Sequence, residues 1–280
     1  MKTVPVLAAR ALGRFLAKDF RQIFGSAHKD MAERLGSLAR STIEFLGRSD
    51  ALYHNFEHTL LVTLVGRDIL RGRTLTERIE PEDYDHLIVA CLLHDIGYVR
   101  GVLSADTETE FVVDEQGNRV TLPRGASDAA LAPYHVDRSK LFVRERLGKS
   151  PNLDAARVAN AIEFTRFPSP ARRETAVGLE PLLVQAADLI GQLGDPLYPS
   201  KANALYWEFE EVGINRQLGY LSPADLIEKY PGFYWSSIST HLTEGLKYLN
   251  LTGAGRQWIA NMHSHLLCAE HASRLMGPQH

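Results

Sequence analysis

The run Ile88-Val89-Ala90-Cys91-Leu92-Leu93-His94-Asp95-Ile96-Gly97 constrains the fold more than any other segment. It sets two adjacent metal-capable side chains at the end of an apolar stretch. An unpaired polar side chain buried there costs on the order of 2–7 kcal/mol, and an isolated charge costs far more. Upstream lies Tyr53-His54-Asn55-Phe56-Glu57-His58, and downstream Ala186-Ala187-Asp188 sits in a second apolar run. The same burial problem in separate places suggests one shared answer, a divalent metal ion.

Helical periodicity dominates the chain. Residues 5–24 and 29–47 read as amphipathic helices, and His54 to Leu70 as a third with Leu60, Leu61, Leu64 and Val65 on one face. Pro81 suits the first turn of a fourth, running to about Asp95, with Gly97 at its exit. Further helices are expected over 135–147, 153–166, 180–193, 200–212, 223–229, 234–249 and 254–275. Phe111-Val112-Val113 and Arg119-Val120-Thr121-Leu122 flank a Gly-containing turn and predict a small β-hairpin. It sits in an irregular insertion over 98–134, whose position beside a metal site suggests a lid. Pro168 and Pro170 break the chain. No internal repeat or linker marks a boundary. The expected fold class is therefore all-α, one helical bundle over 1–280, with a core of about 50–215 and the helices of 1–48 and 216–280 packed on it.

The 280 residues are 45% hydrophobic and 23% charged, which is enough apolar material for a substantial core. A net charge of −3 gives no basic excess to hold a nucleic-acid polymer or an anionic membrane. No apolar stretch approaches the ~20 residues of a membrane span, and the first twenty residues read as an amphipathic helix rather than a signal peptide. The two cysteines, Cys91 and Cys268, lie in apolar contexts and fit a reducing cytoplasm better than a disulfide framework.

On a helix, His54 and His58 would share a face. His94 and Asp95 would stand about 100° apart and reach one ion between them, and Asp188 would come from a separate helix. Imidazoles with carboxylates suit Zn, Mn or Fe, and Mg where waters complete the shell. So few protein ligands leave positions open, which is the catalytic rather than the structural pattern.

Taken in order, His58, His94-Asp95 and Asp188 resemble the H…HD…D pattern of the HD superfamily of metal-dependent phosphohydrolases, over roughly residues 50–215. The resemblance implies an all-helical fold with these four residues as metal ligands. Tyr53-His54-Asn55-x-x-His58, Ala186-Ala187-Asp188-Leu189 and Tyr206-Trp207-Glu208-Phe209 are similar to stretches of the cyclic-nucleotide phosphodiesterase branch. That likeness implies His54 as proton donor to the leaving oxygen, a role a histidine of near-neutral pKa can fill. The implied reaction is hydrolysis of a small-molecule phosphate ester, a nucleotide or cyclic nucleotide being one candidate, by hydroxide generated at the ion. His54 and Asp95 are then the catalytic candidates.

The chain departs from that branch at Asp95-Ile96-Gly97-Tyr98, where a second histidine is usual. Gln257 lies near the place of its purine-gripping glutamine, without matching context. His135, opening His135-Val136-Asp137-Arg138-Ser139, resembles a helix start that implies contact with a second ion bridged by Asp95. An ordinary first-turn histidine is an equal alternative. Glu163 stands where a further ligand is expected but reads better as a helix-surface glutamate. Arg100 and Arg166 are the candidates for phosphate, because guanidinium forks match its oxygens; Arg172-Arg173 follow. Two rival readings are an HD-fold di-iron oxygenase, which needs more histidines than His135 alone supplies, and a non-catalytic metal- or nucleotide-binding sensor.

Overall fold

The computed structural model describes residues 2–167 and 178–275, and these are mainly α-helical. Pro168, Pro170 and Arg172-Arg173 lie outside the described residues. In chain order the helices are α1 (Val4–Phe24), α2 (Lys29–Leu46), α3 (Phe56–Arg73), α4 (Pro81–Leu93), α5 (His135–Leu147), α6 (Ala155–Glu163), α7 (Leu179–Leu193), α8 (Tyr198–Glu211), α9 (Ile214–Leu218), α10 (Pro223–Glu228), α11 (Tyr230–Phe233), α12 (Thr243–Leu249) and α13 (Gly253–Leu275). The predicted hairpin forms as β1 (Glu110–Val112) antiparallel to β2 (Arg119–Thr121), with Phe111 opposite Val120. No described helix is long and apolar enough to cross a membrane.

The organising element is α4. From Tyr84 to Leu93 every residue is buried, as expected of a helix apolar on all sides. Pro81 opens it, and Glu82 and Asp83 place negative charge at its positive end. The α2, α3, α6 and α7 helices pack around it, and one contiguous buried cluster runs from Ala9 in α1 to Leu266 in α13. Helices α3 and α7 approach closely because Gly191 has no side chain; a Cβ there would meet Val62 Cα at 2.9 Å. This brings the first turn of α3, the end of α4 and the middle of α7 to one place.

Three expectations are corrected. First, α3 begins at Phe56, because Asn55 caps it by accepting from Glu57 N at 2.8 Å. His54 therefore precedes the helix and shares no helical face with His58. Second, α4 ends at Leu93. His94 is its C-cap and Asp95 (φ −106°, ψ 4°) opens a short 3₁₀ turn over Ile96–Tyr98, so the pair is not ordinary helix. Third, residues 234–249 are not one helix: a π turn over Tyr234–Ile238 and a 3₁₀ turn over Ser239–His241 precede α12.

The 98–134 insertion is tied to α5 by Arg138, which is fully buried. Its guanidinium bonds Asp106 Oδ1 and Oδ2 at 3.1 and 2.9 Å and donates to the carbonyls of Gly97, Val99 and Val112. Asp106 has no exposed side-chain surface. Removing one partner of a buried pair strands the other's charge, at a cost of about 3–5 kcal/mol. An Arg138→Met variant is therefore expected to lose about that much stability in urea denaturation, whereas a loss under about 1 kcal/mol would show that the clamp is dispensable.

Candidate metal centre

The end of α4 is held from behind by α5. Ser139 Oγ donates to His94 O at 2.6 Å and accepts from Gly97 N at 2.9 Å. Gly97 is required by this contact, since a Cβ there would stand 2.0 Å from His135 O. The His94 ring is oriented by its Nδ1–H, which donates to Cys91 O at 2.8 Å and leaves Nε2 to face His58. Such a backbone acceptor fixes both tautomer and ring angle.

Four donor atoms meet in front of this turn. His58 Nε2, His94 Nε2 and Asp188 Oδ1 lie 3.2–3.4 Å from one another. Asp95 Oδ2 lies 3.2 Å from His94 Nε2 and 3.5 Å from His58 Nε2. Ligands about 2.0–2.2 Å from one ion are separated by roughly 2.8–3.6 Å at octahedral or tetrahedral angles. The observed spacing is of that size. Asp95 Oδ2 is buried and accepts no hydrogen bond. The donor set thus fits a divalent cation, with His58 from α3, His94 and Asp95 from the end of α4, and Asp188 from α7.

Electrostatics make the same demand. Burial would push His94 toward neutrality, yet Asp95 and Asp188 hold its pKa well above the ordinary histidine value. Burial alone would raise Asp95 and Asp188, but His94 and His58 draw both well below the usual carboxylate range. The C-terminal end of α4 adds its own partial negative charge. A divalent ion answers this demand more strongly than protons on imidazoles.

His54 stands beside the set. One of its ring nitrogens lies within 4.8 Å of donors from His58 and Asp95. Its Nδ1 donates to Glu208 Oε2 at 2.6 Å, while Glu208 Oε1 accepts from the backbone N–H groups of Tyr53 and His54 at 2.6 and 3.1 Å. Burial opposes the charged ring, but Glu208 outweighs it, assisted by Asp95 and Asp188, and lifts the His54 pKa to about 9. Sequence reasoning placed Glu208 in a motif without a role. Its signal was a carboxylate in step with Ala202 and Leu205 on the buried face of α8.

Tyr98, noted in the sequence only as a departure, is packed between two imidazoles. It stacks on His54 at 5.0 Å and on His135 at 4.5 Å between ring centroids. His135 opens α5 as expected. Its Nδ1 donates to Ala132 O at 2.6 Å, so Nε2 faces Asp95 Oδ1 at 3.7 Å. Burial lowers the His135 pKa, against the pull of Asp95. A neutral nitrogen lone pair opposite a carboxylate oxygen leaves room for a second cation there. Glu163 is not free to join it: it binds Lys140 at 2.6 Å and Arg166 at 2.6 and 3.0 Å.

The two phosphate candidates fare differently. Arg100 is absent from the pocket above the metal donors; it bonds Asp128, Asp50 (2.8 Å) and Ala126 O, and so anchors the insertion instead. Arg166 does line the pocket, but its guanidinium is engaged by Glu163 and by Asp137 at 2.9 Å. Gln257 is exposed and bonds Asn261, away from the site. From the insertion only Tyr98 and Ala132 line the pocket, so among the described residues the hairpin is no lid.

Fold and site together define a mainly α-helical protein with a candidate His/Asp metal centre opening into a pocket. The chain belongs to the Npun_R2479-like family, whose model matches residues 6–272. No curated protein matches it significantly.

Elemental analysis of the purified protein is expected to find a divalent metal, depleted in His58→Ala and Asp188→Ala but retained in His54→Ala. Ion binding also stabilises the fold by mass action, about 2.7 kcal/mol at a hundredfold excess over Kd. Chelation should therefore lower Tm in the unmodified protein and leave it unchanged in Asp188→Ala.

Proposed function

We propose that this protein is a metal-dependent phosphohydrolase of the HD type, cleaving a phosphate ester. The observation that carries the reading is the convergence of His58, His94, Asp95 and Asp188 donors at 3.2–3.5 Å, with the His54–Glu208 pair alongside and a pocket above. A divalent ion held by those four would supply a Lewis acid and lower the pKa of a bound water; zinc, manganese, iron and magnesium are its candidates.

The protein's own groups account for the rest. Asp95 and Asp188 would offset the cation's charge, and four protein ligands would leave it able to bind water or substrate. Glu208 holds the His54 ring by Nδ1 and keeps it charged, so the other ring nitrogen carries a proton it can give to the departing alkoxide oxygen. Tyr98 prevents the His54 ring from tipping by stacking on its face. Asp95 Oδ1 and His135 Nε2 support a second cation, but they are two donors only. That scarcity favours hydrolysis over di-iron oxidation.

The test is a phosphoester panel with the metal found in the protein. His54→Gln and Glu208→Gln are expected to lower kcat about 10²–10⁴-fold and about tenfold or more respectively, with metal content unchanged. The pH profile gives a second check. The acid works only while protonated, so kcat/KM should fall as pH rises through a His54 pKa of about 9, or below it where a bound cation offsets Asp95 and Asp188. Glu208→Gln removes the main raising influence and should move that limb to lower pH. An unmoved limb would assign it to another group.

A further inference from the structure

The hydrolytic reading leaves the alcohol part of the ester open, and the pocket walls bear on it. Ionisable groups are confined largely to the floor, where His54, Asp95, His135, Asp188 and Glu208 meet. Beyond them the lining is mostly apolar: Leu193 on α7, Leu205 and Phe209 on α8, then Leu218, Leu226 and Phe233 from α9, α10 and α11, with the hydroxyls of Thr165, Tyr198 and Tyr220 set among them. These last helices lie past the core expected from sequence and form the far wall. The pocket is partly open to solvent, and its lining extends from the donor residues out to Phe233 of α11, well beyond the reach of a bare phosphate.

Cationic groups are scarce among the described lining residues. Among the described lining residues there is no lysine, and Arg166 is the one arginine. Its guanidinium belongs to a network in which Glu163 and Asp137 are matched by Arg166 and Lys140. A polyphosphate would find few partners here. The wall amides are also engaged: Gln185 Nε2 donates to Phe164 O at 3.0 Å, and Gln192 bonds Tyr198. An apolar chain, by contrast, gains along the whole wall by leaving water.

Resting on the hydrolytic reading of the floor, we propose that the substrate is an amphiphile: a single phosphate head seated at the metal donors, esterified to an apolar alcohol whose tail lies between α7 and α8 against α9–α11. In the reaction the oxygen of water forms a new bond to phosphorus and the bond from phosphorus to the ester oxygen breaks. His54 gives that oxygen its proton, and the proton that water loses as it bonds phosphorus passes to solvent, from which His54 is recharged. The products are the free apolar alcohol and inorganic phosphate, with no change of oxidation state.

The test uses the full metal-loaded chain with butyl, hexyl and octyl phosphate below their micellar concentrations, and AMP and cyclic AMP as polar comparators. Calorimetry reads binding, and release of phosphate (after phosphatase treatment for cyclic AMP) reads turnover. Each buried methylene can tighten binding by up to about fourfold, so Kd is expected to fall at least about tenfold from butyl to octyl, with octyl phosphate binding more tightly than AMP. A Kd independent of chain length, or tighter binding of AMP, overturns the proposal. Leu193→Gln and Phe233→Ser should each flatten the chain-length dependence; an unchanged dependence in both places the tail elsewhere and also overturns it. Chain-length-dependent binding without release of phosphate sustains the amphiphile site and defeats the hydrolytic reading. Turnover confined to the nucleotides does the reverse.

Discussion

Negative charge crowded at the end of one buried helix governs this structure. Asp95 and Asp188 each lie 3.2–3.5 Å from the same two imidazoles, and the C-terminus of α4 points its carbonyl end at the same spot. In a poorly hydrated interior such charges repel far more strongly than in water. The cluster persists only where positive charge sits among the donors and the backbone cannot relax away from it. The second condition explains why the turn is so heavily tied. Ser139 fixes it at both His94 and Gly97, Cys91 O fixes the His94 ring, and α5 approaches closely enough to exclude any side chain at residue 97.

The insertion over 98–134 gains its meaning from this requirement. It does not cover the pocket. Through Arg138 and Asp106 it braces α5, and α5 in turn braces the turn that carries His94 and Asp95. Arg100 extends the same brace to Asp50 and Asp128, just ahead of α3 and α5. Two arginines therefore neutralise the buried carboxylates of Asp106 and Asp128, and Arg100 also reaches the exposed Asp50, so that the insertion is tied down where it meets the site.

Much of this was legible in the sequence because it follows from local rules. Residues 135–147 and the hairpin were read from periodicity and turn chemistry, and His94-Asp95 and Asp188 stood out as polar groups in apolar runs. What escaped depended on partners distant in the chain. An arginine that binds phosphate and one that pairs with Asp128 look alike until residues 100 and 128 are seen together. Glu208 lies 154 residues from His54, so nothing local reveals that it charges that ring. The displaced start of α3 is different in kind. Asn55 was recognised as part of a motif, but its capping hydrogen bond, which moves His54 off the helix, decides the boundary.

The division between floor and walls has an energetic consequence. With a divalent ion bound, the three carboxylates of the floor (Asp95, Asp188 and Glu208) would be offset by it and by the His54 imidazolium, so a phosphate group would approach a nearly neutral surface with few spare cations among the described residues. Head-group attraction alone then gives modest affinity, and binding strength must come from parts of the ligand that do not react. Binding energy from such remote parts can hold the reacting bond in line with the proton donor. The α9–α11 wall is where that energy would be collected, since Leu218, Leu226 and Phe233 carry no charge and come from helices other than those that bear the four donors. A core of this kind tolerates apolar exchange far better than loss of a carboxylate. The floor is therefore constrained by electrostatics to one arrangement, while the wall would be free to vary in shape with the proposed apolar tail.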